Sequence, residues 1–112
     1  MNQKPQKKLS NGPEFGRIPP NSVELEQSVL GAILMFQDCL YEIVDVLKED
    51  HFYVESHRKI YSIILQLFKQ AKPVDIITVT FELKKQNLLD AIGGALFISS
   101  LTDRISVSKN LE

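Results

Sequence analysis

The stretch Arg17-Ile-Pro-Pro-Asn-Ser-Val-Glu-Leu-Glu-Gln-Ser-Val-Leu-Gly-Ala-Ile-Leu34 most constrains what this chain can become. Pro19 and Pro20 each fix φ and lack a backbone donor, so no regular element runs through them. Pro19 also holds Ile18 extended. Asn21 and Ser22 follow, with side-chain oxygens suited to the free N–H groups of a helix start. Asn21 and Glu24 have the spacing of a capping box. Glu24 and Glu26 fall near the first turn, where the helix dipole favours negative charge. Leu25, Val29, Ala32, Ile33 and Phe36 then recur with a helical period, and Leu30 and Leu34 widen the stripe. The spacing predicts a capped, largely buried helix.

The rest of the chain reads as more helix. Asp38 is placed to cap a second one over Cys39 to Leu47, with Leu40, Ile43, Val44 and Leu47 on one face. Lys48-Glu-Asp-His51 is a polar connection, and Phe52 and Tyr53 read as core plugs. A third helix, Glu55 to Gln70, carries Ile60, Ile64, Leu67, Phe68 and Ala71 as a stripe, flanked by Tyr61 and Leu65. Pro73 ends it, and it is expected to cross the first helix at the centre of the core. Val74 to Phe81 is ambiguous, because six of its eight residues are β-branched and favour a strand. Ile76, Val79 and Leu83, or Ile77 and Phe81, equally suit a helix capped by Asp75 or Thr78. Leu88 to Ile92 is a short apolar turn or helical segment closed by Gly93-Gly94. Ala95 to about Leu101 resumes as helix, burying some mixture of Leu96, Phe97, Ile98 and Leu101. Ile105 to Glu112 reads as the start of a further element.

Several of these segments, in this order, carry a resemblance. Ile18-Pro-Pro-x-Ser22-x-Glu-x-Glu-Gln-Ser-Val-Leu-Gly31 closely resembles the opening of the N-terminal domain of DnaB-type replicative DNA helicases. Phe52-Tyr53, His57, Ile60-Tyr61, Pro73-Val-Asp75, Thr78, Leu83, Leu89, Gly93-Gly94 and Leu101 continue it as far as Asn110. The resemblance resolves the ambiguous stretch in favour of a helix from about Ile76 to Gln86. It implies an all-α head of five or six short helices over residues 17–112, preceded by a basic arm over residues 1–16. It further implies a place in the collar of a hexamer, where primase docks and a helicase loader acts nearby. The expected ATP- and magnesium-dependent motor, and most DNA contact, would belong to a separate domain beyond a helical hairpin that would begin near Glu112. Ala95 departs from the family, many of whose members carry an aromatic there. With the hairpin missing, only weak self-association is expected of this chain.

Composition bounds the alternatives. The 112 residues, 44% hydrophobic and 24% charged, suit one small domain with one core. Lys4, Lys7, Lys8 and Arg17 stand against Glu14, a net +3, which leaves −4 for the rest of a chain whose total is −1. The arm has too little apolar surface to offset its ordering entropy. The acidic body argues against the second reading, a small helical DNA-binding regulator, because gripping phosphate needs clustered Lys and Arg. A third reading, the helicase-interacting domain of a primase, is less favoured by the Pro-Pro opening and the basic arm. The single Cys39 forbids an internal disulfide and fits the cytoplasm. No apolar run reaches the length of a membrane span.

For a hydrolase, His57 would need a nucleophile or polarised water beside it. The sequence offers none at a recognisable spacing, so His57 is read as a structural histidine bonding to backbone or a neighbouring loop. His51 is read as solvated, and Cys39 as a packing residue among the acids Asp38 and Glu42. Glu24 and Glu26 point to different sides of a helix and do not act as a pair. No catalytic residue, cofactor site or metal site is expected. The expected interface residues are Leu88, Leu89, Ala95 and Phe97, with Leu88, Leu89 and Phe97 supplying apolar surface.

Overall fold

The computed structural model describes residues 22–110, over 104–110 as backbone only. The basic arm, the Pro-Pro segment and the Asn21 cap lie outside the described residues. Five α-helices follow one another: α1 (Val23–Met35), α2 (Leu40–Ile43), α3 (Glu55–Lys69), α4 (Ile76–Lys85) and α5 (Gly94–Asn110). Short 3-10 turns precede α2 at Gln37–Cys39 and α3 at Glu49–His51. No strand occurs among the described residues, so the architecture is all-α.

The helix starts differ in how they are held. Ser22 occupies the cap position of α1, but its side chain makes no cap hydrogen bond. Asp75 caps α4 fully: its Oδ1 accepts from Thr78 N at 2.8 Å, and Asp75 N donates to Thr78 Oγ1 at 3.0 Å. Two local bonds thus resolve the β-branched stretch as a helix, ending one residue short of the expected Gln86. Asp38 caps nothing, because it lies inside the 3-10 turn, and the second helix is correspondingly short.

Helices α3 and α4 end alike. Ala71 (φ 59°) and Asn87 (φ 62°) take the left-handed conformation. Lys72 N then donates to Leu67 O at 2.9 Å, and Leu88 N to Leu83 O at 2.8 Å. This six-to-one bond satisfies carbonyls that a helix end would leave bare. Helix α3 therefore stops at its own left-handed turn before Pro73 is reached. Ala71 is exposed rather than part of the apolar stripe.

One core joins all five helices. Leu30 and Ile33 of α1, Leu40 of α2, Ile60 and Ile64 of α3, Val79 and Leu83 of α4, and Ile98 of α5 are fully buried. Helix α1 packs chiefly on α5, while α3 touches both α1 and α4. Phe52 fills the core beneath the loop before α3, its ring centroid 5.2 Å from that of Tyr61. Tyr61 is buried too, and its hydroxyl donates to Leu47 O at 2.7 Å. Tyr53 is not a second plug; it lies largely at the surface.

The face of α1 is rotated from the expected one. Its buried residues are Glu26, Leu30, Gly31, Ile33 and Leu34, whereas Leu25 and Phe36 are exposed. The later turns of α1, Val29 to Met35, are apolar all round and carry little directional signal, so their neighbours choose the face.

Candidate protein-interaction surface

The buried acid on α1 meets the start of α3. Glu26 is fully buried, and its Oε2 accepts from Tyr53 N at 2.8 Å. Its Oε1 accepts from Val54 N at 3.3 Å and lies 2.7 Å from His57 Nδ1. The two backbone donors belong to the residues just before α3, where the helix leaves N–H groups without internal partners. One carboxylate therefore serves as a cap supplied from another helix. His57 is sealed in with it, 6.0 Å from the ring of Phe97 on α5 and nearly parallel to it, at 7°. His57 was expected to bond to backbone or a neighbouring loop; its partner is instead the Glu26 carboxylate. Burial of both side chains closes them to a substrate.

The remaining titratable candidates are dispersed. His51 is half-buried and its Nδ1 accepts from Lys48 N at 3.1 Å, so it is tied into the turn rather than simply solvated. Burial pushes the Cys39 thiol above its ordinary value, and the charges of Glu42 and Asp38 add to that. Lys59 pulls the Glu55 carboxyl down through a hydrogen bond and a 3.1 Å ion pair on the exposed face of α3. Among the described residues, no three His, Cys, Asp or Glu side chains gather as a metal site would require.

The core leaves several large apolar side chains outside. Helix α4 carries two apolar stripes. Val79 and Leu83 enter the core, while Ile77 (77% exposed) and Phe81 (67%) face outward. Leu96 on the first turn of α5 (85% exposed) joins them across a groove floored by Ile76 and Thr80. A second groove lies on the other side of the same ridge, between Phe81 and Pro73. Lys84 borders the first groove, and Lys72 and Lys85 the second.

Of the residues expected at an interface, only Ala95 lines either groove of this ridge. Ala95 is exposed and shares the groove with Leu96. Leu88, Leu89 and Phe97 are half-buried, packed against the core. Phe97 also explains the glycine before α5. Gly93 has φ +112°, and a Cβ there would lie 3.0 Å from the Phe97 Cβ. Sequence reasoning missed Ile77 and Phe81 as surface residues, because either stripe of α4 suits a core.

Five helices around one core, with a sealed acid–histidine contact and an exposed apolar ridge, define a small all-helical domain. A family profile described as "DnaB-like helicase N terminal domain" matches residues 18–112. The chain therefore belongs to the DnaB-like helicase N-terminal domain family. It is 39% identical over 99 residues to the replicative DNA helicase DnaB of Rhodothermus marinus, covering 88% of this chain and 10% of that protein. It is 40% identical over 96 residues to the replicative DNA helicase DnaC of Bacillus subtilis, covering 86% and 21%. The chain thus spans a small part of the curated relatives it matches. The crystal structure of the N-terminal domain of DnaB helicase from Mycobacterium tuberculosis superposes with a TM-score of 0.72 at 36% identity, covering 77% of this chain and 60% of that one.

Proposed function

We propose that this domain is the interaction head of a replicative DNA helicase, contributing to the collar of a hexamer and to the docking of primase at the replication fork in the cytoplasm. The observation that carries this reading is the second apolar stripe of α4. Ile77 and Phe81, with Leu96, are large apolar side chains left exposed while the core is closed without them. Exposed apolar clusters of this kind mark interaction surfaces. Ala95, which lines the same groove, would belong to that surface. Unwinding, ATP and magnesium binding, most DNA contact and the action of a loader would belong to other parts of a longer protein. No helix among the described residues is long and apolar enough to cross a membrane.

The test is binding of the purified chain to the helicase-interacting domain of a bacterial primase, followed by calorimetry. Saturable one-to-one binding is expected. Absence of binding at high micromolar concentration would remove primase docking from the reading. A DNA-binding regulator would instead bind duplex DNA with a steep salt dependence.

A further inference from the structure

We infer that the α4 ridge is a docking site for an acidic amphipathic helix of another polypeptide. This rests on the reading of the domain as an interaction head, and adds which surface is used and what chemistry it selects.

The ridge has the form of a helix receptor. Ile77 and Phe81 stand one turn apart on α4, with a groove on either side. An incoming helix with apolar side chains at three- and four-residue spacing would lay its stripe over Phe81 and against Leu96. Phe81 supplies the kind of aromatic anchor that commonly dominates interface energies.

The rim selects the charge. Lys72, Lys84 and Lys85 border the two grooves from different places, the first in the connection after α3 and the others in the last turn of α4. Lys84 and Lys85 also complement the α4 dipole, but that does not account for Lys72. No carboxylate pairs with any of the three among the described residues. Glu82, the one acid in the grooves, is buried and accepts from Gln86 Nε2 at 2.7 Å. The surroundings therefore present apolar floor with unpaired positive charge, on a body whose net charge is −4.

The same charges argue against one other occupant. The chain's own residues 1–17 carry a net +3 and are a poor complement to a lysine rim.

The experiment uses the 112-residue chain and two designed helical peptides. Both carry leucine at heptad positions a and d; one is otherwise rich in glutamate, the other in lysine. Fluorescence anisotropy is read with each, and amide shifts are mapped by NMR. The glutamate peptide is expected to bind, more weakly as salt is raised, with shifts centred on Ile77, Phe81 and Leu96. Phe81→Ser should weaken it by about tenfold or more, the size of a lost aromatic anchor. The double variant Lys84→Glu/Lys85→Glu should shift preference toward the lysine peptide. Equal binding of both peptides, shifts centred on another face, or no effect of these exposed substitutions would overturn the inference. So would sedimentation showing a dimer that Phe81→Ser dissolves.

Primase binding separates this inference from the broader reading. If the chain binds the primase domain and Phe81→Ser binds it equally well, the head reading stands and the ridge assignment falls. If the glutamate peptide binds at the ridge while primase does not bind at all, primase docking falls and the ridge assignment stands.

Discussion

Glu26 Oε1 and His57 Nδ1 lie 2.7 Å apart although 31 residues separate them in the chain. The same carboxylate accepts the backbone N–H groups of Tyr53 and Val54. One acid thus fixes α1, the loop before α3 and α3 itself. Glu26→Ala strands two backbone donors and the imidazole, each at about 1–3 kcal/mol when buried. A total loss of about 3–5 kcal/mol is expected, as for breaking a buried pair. Urea denaturation checks it, and a loss under about 1 kcal/mol would show that water or another group replaces the carboxylate. A Glu26→Gln/His57→Gln cycle should return a coupling of about 0.5–3 kcal/mol.

Two isoleucines should behave oppositely. Ile64 is fully buried on α3, and Ile64→Ala should cost about 2–5 kcal/mol. Ile77 is exposed on α4, and Ile77→Ala should stay within about 0.5 kcal/mol. Similar denaturation midpoints for the two variants would mean that α4 is turned the other way.

The two cap positions should differ in what they contribute. Asp75→Ala removes a cap hydrogen bond and should cost about 0.5–2 kcal/mol. Ser22 makes no cap bond, so Ser22→Ala should be close to neutral. Thermal melts of the two variants side by side decide this.

Ala71→Gly should stabilise. Alanine in the left-handed region costs about 1–2 kcal/mol, and glycine returns about 0.4–1 kcal/mol of that through unfolded-state entropy. A net gain of about 0.5–1 kcal/mol is expected in urea. A loss would mean that the Ala71 methyl makes a contact worth more than the strain.

Tyr61 gives the chain a pH dependence at the alkaline end. Burial first, and then the charge of Glu49, pushes its phenol up to about 12 from 10. The unfolded chain therefore releases this proton before the folded one does. Stability from this group is fully present below pH 10 and is lost as pH rises toward 12. Tyr61→Phe should be less stable at pH 8, having lost the bond to Leu47 O. It should also lose less on going to pH 11 than the parent does. Parallel losses would show that other groups set the alkaline limb.

Much of the fold was legible because its cues are local. The α3 stripe of Ile60, Ile64 and Leu67 has a polar opposite face, so its period points one way. Residues 74–81 were harder, since β-branching and helical spacing compete there, and the Asp75–Thr78 exchange decides. The polar centre was not legible. Glu26 looks like an acid placed for the helix dipole, although Leu30, Ile33 and Leu34 follow it at four, seven and eight residues. That spacing puts Glu26 on the buried face, but only the N–H groups of a loop distant in sequence make such burial tolerable. The outward stripe of Ile77 and Phe81 was hidden for a similar reason: nothing in α4 itself says which of two apolar faces has neighbours.

Phe97 has a consequence for Leu96. Its ring lies against His57, and its Cβ fits over the space that Gly93 leaves by having none. These two contacts clock α5, holding its rotation about its own axis. Leu96 stands one residue earlier, about 100° around the helix, so its bearing toward Phe81 is inherited from that setting. The Glu26–His57 contact therefore acts as the stop of a dial whose pointer is on the surface. Loosening the stop would turn Leu96 off the ridge without any change to the ridge's own residues.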